Sequence, residues 1–267
     1  SIYDYLLDEY QFINENYLNA VVFDSVIAQG RYEKDFGYGA MEDWTENVLK
    51  YMDAEDRQVS IDHYPYRYDA RTNQRYTRSD RFLWALQNAR KSIDKYQSKI
   101  NYYYYQQEWD AHIRESVSTQ ELTYMLYSSM LYGFNSFVAY KYEPYWSIAT
   151  NQQTFMKSPY GQKTEFWYYN QQAINEIKKF DHIYLQFTEK NGGAWQGVMF
   201  FEGTQNTRVE HRANEDEEIE FMQSYAGLSS VTATQDTAVG IMKDKDGRDG
   251  YLFTNQSDSL DRLSDTV

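Results

Sequence analysis

The chain opens on a helical stripe: Ile2, Tyr5, Leu6, Phe12 and Ile13 recur at three- and four-residue spacing, broken once by Glu9. A short apolar run follows at 19–28, then an amphipathic segment at 37–52 with Trp44, Val48, Leu49 and Met52 on one side. Residues 58–64 alternate like a strand, with Val59 and Ile61 against Ser60 and Asp62. Residues 79–96 carry Phe82, Ala85, Leu86, Ala89 and Ile93 at helical spacing behind Ser79, a plausible N-cap. The run 100–109 is rich in tyrosine and β-prone. Residues 118–133 open with Ser118 and Glu121 at the capping-box spacing and stop at Gly133. A strand at 135–142 and a helix at 163–180 complete the series.

This alternation predicts an α/β fold: a leading helix, then four strand–helix units whose right-handed crossovers make the strands parallel. Beyond residue 180 the period shortens. Residues 238–255 read as two strands around an Asp246–Gly247 turn. The expected division is therefore 1–180 as the parallel part and 181–267 as an antiparallel β domain, most simply a β-sandwich. Four strand–helix units are half of an eight-stranded barrel or most of a small doubly wound sheet. Long polar and aromatic loops after the strands, at 66–78 and 144–162, favour the barrel, whose active sites are built from such loops. No glycine-rich phosphate loop follows any strand, which weakens a nucleotide-binding sheet.

Composition narrows the function classes. The net charge of −14 argues against nucleic acid or an anionic membrane as the main partner. The absence of cysteine removes disulfides, thiol nucleophiles and Cys-ligated metals together. No apolar run is long enough to span a bilayer, so no membrane insertion is expected. The 28 tyrosines, 6 tryptophans and 14 phenylalanines offer flat apolar faces, many with a hydroxyl. Such faces suit sugars, and they suit cores and interfaces equally well.

The residues that could carry chemistry gather at the strand ends. They are Asp24, then Asp62, His63, Tyr64 and Tyr66, then Gln106, Gln107, Glu108 and Trp109, then Tyr142, Glu143, Tyr145 and Trp146. Converging, they would form a cup of carboxylates, amides and stacking aromatics, the inventory of glycoside chemistry. Each acid alone also fits a helix N-cap or a turn. Asp62 in particular reads either as a sugar-hydroxyl acceptor or as the partner of an internal arginine. His63 is not expected to bind metal, because His112, His182 and His211 show no ligand spacing, and no cofactor is expected.

The stretch QVSIDHYPY, followed by NYYYYQQEW and then LYSSMLYGFNSFVAYKYEPYW, resembles the sixth, seventh and eighth strands of β-galactosidase-like (β/α)8 glycoside hydrolases and related barrels of polysaccharide-degrading bacteria. The resemblance rests on order and spacing over residues 15–180. It implies the C-terminal half of a TIM barrel followed by a β domain, with carbohydrate as partner and an extracellular or periplasmic setting. It makes 19–28 the fifth strand and places the family's acid/base glutamate, on the fourth, before Ser1. A missing N-terminal half-barrel or a partner chain is therefore expected, and the start at Ser1 is expected to be processed or truncated. The family's nucleophile position falls on Gln106 or Gln107, which cannot form a glycosyl ester. Either the register shifts and Glu108 is the nucleophile, or the retaining mechanism is lost.

Three function classes remain open: a glycoside hydrolase, a non-catalytic carbohydrate-binding barrel, and a structural or surface-assembly protein. Arg67, Arg71, Arg75, Arg78 and Arg81 in one loop suit a carboxylated or sulfated sugar, or equally a docked acidic surface. DKDGRDG at 244–250 resembles a calcium loop but lacks its twelfth-position glutamate, so a hairpin turn explains it better.

Overall fold

The computed structural model describes residues 2–16, 26–27, 58–63, 65–69, 74–77, 79–96, 99–105, 117–139, 142, 156–158, 160–204, 212–214 and 217–256. Helix α1 spans Ile2–Asn16. Strands β1 (Val26–Ile27) and β2 (Gln58–Asp62) are followed by β3 (Tyr66–Asp69) and β4 (Gln74–Thr77). Then come α2 (Ser79–Tyr96), β5 (Ile100–Tyr105), α3 (Thr119–Leu131), β6 (Ser136–Ala139) and α4 (Glu165–Lys178). A short α5 (Asp181–Tyr184) and two 3-10 turns lead into β7 (Ala194–Phe201). Strands β8 (Arg212–Asn214), β9 (Glu217–Glu218), β10 (Thr237–Lys243) and β11 (Asp249–Asn255) follow.

Strands β1, β2, β5 and β6 form one sheet in that spatial order, every pair parallel. The order in space is thus the order in the chain. Helix α2 packs on β2, and α3 packs on β5. In β2, Val59 and Ile61 are buried on one face and Gln58 and Ser60 on the other. Burial on both faces is the mark of an interior parallel strand. Residues 66–78, expected as a loop, contain an antiparallel hairpin in which β3 pairs with β4 over four positions.

The second sheet is antiparallel, in the order β11–β10–β7. Its hairpin turns at residues 244–248, as the Asp–Gly signal predicts. The Asp244 carboxylate accepts from the backbone N–H of Asp246 (3.0 Å) and of Arg248 (2.9 Å), and Gly247 takes φ 82°. These bonds turn the carboxylate inward on its own loop. Among the described residues no group of three or more His, Asp or Glu could hold a metal ion. No helix of the described residues is long and apolar enough to cross a membrane.

Helix α3 joins the two sheets. Its start is a full capping box: Glu121 N–H donates to Ser118 Oγ (3.2 Å), and Ser118 N–H donates to Glu121 Oε2 (2.7 Å). Its end is a Schellman turn, with Gly133 at φ 82° and Phe134 N–H returning to Ser129 O at 3.3 Å. The last carbonyls, which a helix leaves without internal partners, are taken by side chains from elsewhere. Trp195 Nε1 donates to Leu131 O (2.7 Å), Arg90 Nη1 to Tyr132 O (3.4 Å), and the Tyr184 hydroxyl lies 3.1 Å from Met130 O.

Gly240 of β10 completes this junction, since a Cβ there would sit 2.8 Å from Leu131 O. Further along, buried Gln256 donates to Ser128 Oγ of α3 (3.3 Å) and accepts from the Tyr124 hydroxyl (3.1 Å). One apolar cluster therefore runs without a break from Val59 and Phe82 through α3 to Ala238 and Met242. By contrast, Tyr5 and Phe12 of the α1 stripe are exposed.

Candidate functional site

Parallel pairing places the C-terminal ends of β2, β5 and β6 on one edge of the first sheet. Asp62 closes β2 there, in register with Ile27 of β1 and with Tyr104 of β5, which is itself in register with Val138 of β6. Alternation along a strand sends Asp62 to the same face as Ser60 and Gln58, away from α2. Asp62 is half-buried, whereas Ser60 beneath it is fully enclosed. An acid here ends a polar column on the face opposite the helices.

His63 goes the other way. It is 5% exposed, and its ring stacks on Phe82 of α2 at 5.8 Å with an interplanar angle of 11°. Phe82 in turn meets Tyr124 of α3 at 6.3 Å. Two neighbours in sequence are thus assigned to opposite layers, and the imidazole is part of the helix packing. Tyr66, at the root of the β3–β4 hairpin, is also buried in the main cluster.

The remaining described candidate is Tyr142, three residues past β6 and 43% exposed. Its ring leans on Trp167 of α4 at 5.9 Å, and the Lys157 ammonium lies 4.8 Å from its centroid. Lys157 N–H donates to Tyr142 O at 3.0 Å, tying a tight turn to this edge. In that turn Lys157 and Lys163 face each other as an antiparallel bridge. The Ser158 hydroxyl accepts from the N–H groups of Tyr160 (3.2 Å) and Gln162 (3.1 Å), and Gly161 takes φ 76°. Lys163 sits 4.6 Å over the Trp167 ring, and Tyr160 projects from the tip, 82% exposed.

No family model, curated protein or solved structure matches this chain.

The site is therefore built from its own residues alone. The structure brings Asp62, the β3–β4 hairpin and the Tyr142–Lys157–Lys163 turn to one sheet edge, and it takes His63 into the helix layer. Asp24, Tyr64, Gln106, Gln107, Glu108, Trp109, Glu143, Tyr145 and Trp146 lie outside the described residues. The two lysines and Trp167 are missing from the sequence-derived set. Their signal was present: lysines flank SPYGQ symmetrically, and Trp167 follows Lys163 by one helical turn.

Proposed function

We propose that the chain is part of a (β/α)8 barrel of glycoside-hydrolase type that engages polysaccharide or oligosaccharide at the C-terminal edge of its parallel sheet. The supporting observation is the strand order. Four parallel strands that follow one another in space as in the chain are what one-way winding produces, whereas a doubly wound sheet reverses direction from its first strand. The edge where barrel enzymes keep their chemistry is also where Asp62 and the aromatic turns gather. Among the described residues no further strand pairs with β1 or β6 at the two ends of that sheet, and this, with the exposed Tyr5 and Phe12 of α1, fits a further half-barrel or partner chain against them. An extracellular or periplasmic setting follows from a polysaccharide substrate.

In this reading Glu108, following β5, is the nucleophile that would attack the anomeric carbon. Asp62 would accept hydrogen bonds from sugar hydroxyls, Trp109, Tyr142 and Trp146 would stack on the ring, and an acid/base carboxyl from outside this chain would protonate the leaving group. The second reading, a carbohydrate-binding barrel without hydrolysis, is favoured by Gln106 and Gln107 at the family's nucleophile position. A panel of aryl glycosides with the wild-type chain and with Glu108→Gln separates the two. Hydrolysis that falls by about a thousandfold or more in the variant supports the nucleophile. Hydrolysis unchanged in the variant removes Glu108 from the mechanism, and binding without hydrolysis of a dinitrophenyl glycoside, whose leaving group needs no general acid, selects the second reading.

A further inference from the structure

We propose that the outer edge of β11 is a self-association surface, along which a second copy of this chain lays its own β11 antiparallel to the first. This goes beyond the carbohydrate reading and concerns the other sheet.

Hydrogen bonding along the β10–β11 hairpin decides which backbone groups face outward. Asp244 N–H donates to Arg248 O at one end (3.0 Å), and Gln256 N–H donates to Asp236 O at the other (2.8 Å). Between these bonds the register is unbroken, from Lys243 opposite Asp249 to Thr237 opposite Asn255. Bonded and non-bonded pairs alternate along an antiparallel ladder, so Gly250, Leu252 and Thr254 turn their backbone groups toward β10. Tyr251 and Phe253 turn theirs away from it.

Strand β11 ends its sheet, and among the described residues no backbone group bonds to this outer side. The opposite edge is closed, since Met222 N–H donates to Val198 O of β7 at 2.8 Å. An open row of N–H and C=O groups is a template for a further strand. The usual devices that blunt such an edge are missing, for β11 holds neither lysine nor proline.

A second copy fits because the strand is complementary to itself. Centred on Leu252, two antiparallel copies of Asp249–Asn255 pair along their whole length. Tyr251 then lies opposite the other copy's Phe253, twice, and the outward backbone groups of these residues bond each other. Gly250 faces Thr254, Asp249 faces Asn255, and no like charges are opposed. Centring on Tyr251 instead sets Phe253 against Asp249, and centring on Phe253 leaves Asp249 and Gly250 beyond the pairing. The Leu252 register is an isologous contact about a two-fold axis.

Burial and charge favour the same surface. Phe253 is 51% exposed, although Val239 opposite it in β10 is fully buried with Met199 and Ile241 in the second apolar cluster. Pairing encloses the Phe253 ring against the partner's Tyr251 and joins the two copies' clusters into one layer. The chain as a whole carries −14, which repels a copy. At this hairpin the charges cancel: Lys243 meets Asp249 at 2.6 Å, Lys245 meets Asp246 at 3.4 Å, and Arg248 meets Asp244 at 2.6 Å. A neutral face with an exposed aromatic ring is where two acidic chains can approach. The overlap is only about 24 Å long, so a weak dimer with Kd about 10–100 μM is expected.

The test is sedimentation equilibrium of the full chain from about 1 to 300 μM. The average mass is expected to rise from one chain toward two, and amide exchange at Tyr251 and Phe253 to slow with it. Phe253→Lys puts a charge into the contact and is expected to weaken the dimer at least about tenfold. Ile183→Lys makes the same kind of change at a comparably exposed residue of α5 and is expected to leave it within about twofold. Both positions are exposed, so neither change threatens the fold. The chain has no cysteine, so the register can be read directly. Leu252→Cys sets two thiols at a non-bonded pair within disulfide reach and is expected to give a covalent dimer on mild oxidation. Phe253→Cys sets them diagonally and should cross-link severalfold more slowly. A single-chain mass at every concentration would overturn the pairing; exchange protection that ignores concentration would then show another segment of the chain covering the edge. Phe253→Lys and Ile183→Lys behaving alike, or Leu252→Cys staying reduced while the wild type dimerises, would overturn it as well.

Discussion

Arg90 on α2 donates to Glu189 Oε1 at 2.6 Å, across 99 residues of chain. The guanidinium is almost wholly buried, also bonds Asp94, and lies 4.8 Å from the Trp195 ring centroid. It thereby ties the helix layer of the parallel sheet to the first strand of the antiparallel one. Replacing Arg90 by Met strands Glu189 in a half-closed site, and breaking a buried pair costs about 3–5 kcal/mol. For a chain of this size that corresponds to a fall in Tm of roughly 10 °C. Circular dichroism and tryptophan fluorescence melts measure it, and a fall under 2 °C would show that the pair carries no weight.

Gly133 and Gly247 share φ 82° but not surroundings. A Cβ at Gly133 would lie 2.7 Å from Arg90 Nη1, whereas one at Gly247 would meet nothing within 4 Å. Gly247→Ala is therefore expected to cost only the left-handed backbone penalty, about 1–2 kcal/mol. Gly133→Ala adds displacement of the buried guanidinium and is expected to cost distinctly more. Urea midpoints of the two variants give the comparison, and equal losses would remove the packing term at Gly133.

Ser118→Ala deletes the hydroxyl that accepts from Glu121 N–H and is expected to destabilise by about 1 kcal/mol. Adding Glu121→Ala should then cost less than it does alone, since each half of the box supports the other. A double-mutant cycle by urea denaturation reads that coupling, and strictly additive losses would argue against it.

Asp249 of β11 accepts from Lys243 Nζ at 2.6 Å and from the Tyr225 hydroxyl at 2.5 Å. The Lys243 bond, followed by the Tyr225 bond, holds the Asp249 carboxyl below its ordinary range. The same bond to Asp249 is the first cause raising Lys243 above its own. The stability owed to Asp249 is complete above the unfolded aspartate value, about 3.9, and is lost as pH falls through the depressed folded value. That owed to Lys243 is complete below about 10.4 and is lost as pH rises through its raised folded value. Lys243→Met should thus shrink the drop in urea midpoint between pH 6 and pH 3. An unchanged acid slope would assign that drop to other carboxylates.

Legibility in the sequence follows the range of the forces involved. Helices α2 and α3 can be read because periodicity and caps are local, and Ser118, Glu121 and Gly133 do in the structure what their spacing promises. The β10–β11 hairpin can be read because an Asp–Gly turn carries its own geometry. The β3–β4 hairpin cannot, because residues 70–73 hold no glycine and its pairing is decided across the turn. Arg90 looks like a solvated charge on α2 until Glu189 and Trp195 arrive from the far side. Asp62 and His63 read as an acid–imidazole pair only if strand alternation is set aside. For the candidate site, the edge and Asp62's place on it are legible. The lysines flanking SPYGQ are visible as well, but which rings they lie over is not, since that depends on Tyr142 and Trp167, 25 residues apart, coming together.

The reach of Gln256 back to Ser128 bears on how the protein is made. The two are 128 residues apart, and Ser128 lies at zero exposure in the helix that joins both sheets. At 5–20 residues per second, a ribosome would take roughly 6–25 s to deliver Gln256 after Ser128 has been added. Throughout that interval α3 would exist without the strands that cover its flank. The nascent chain would therefore be a natural client for a holding chaperone, and its yield should respond to chaperone supply more than to the stability of the finished fold.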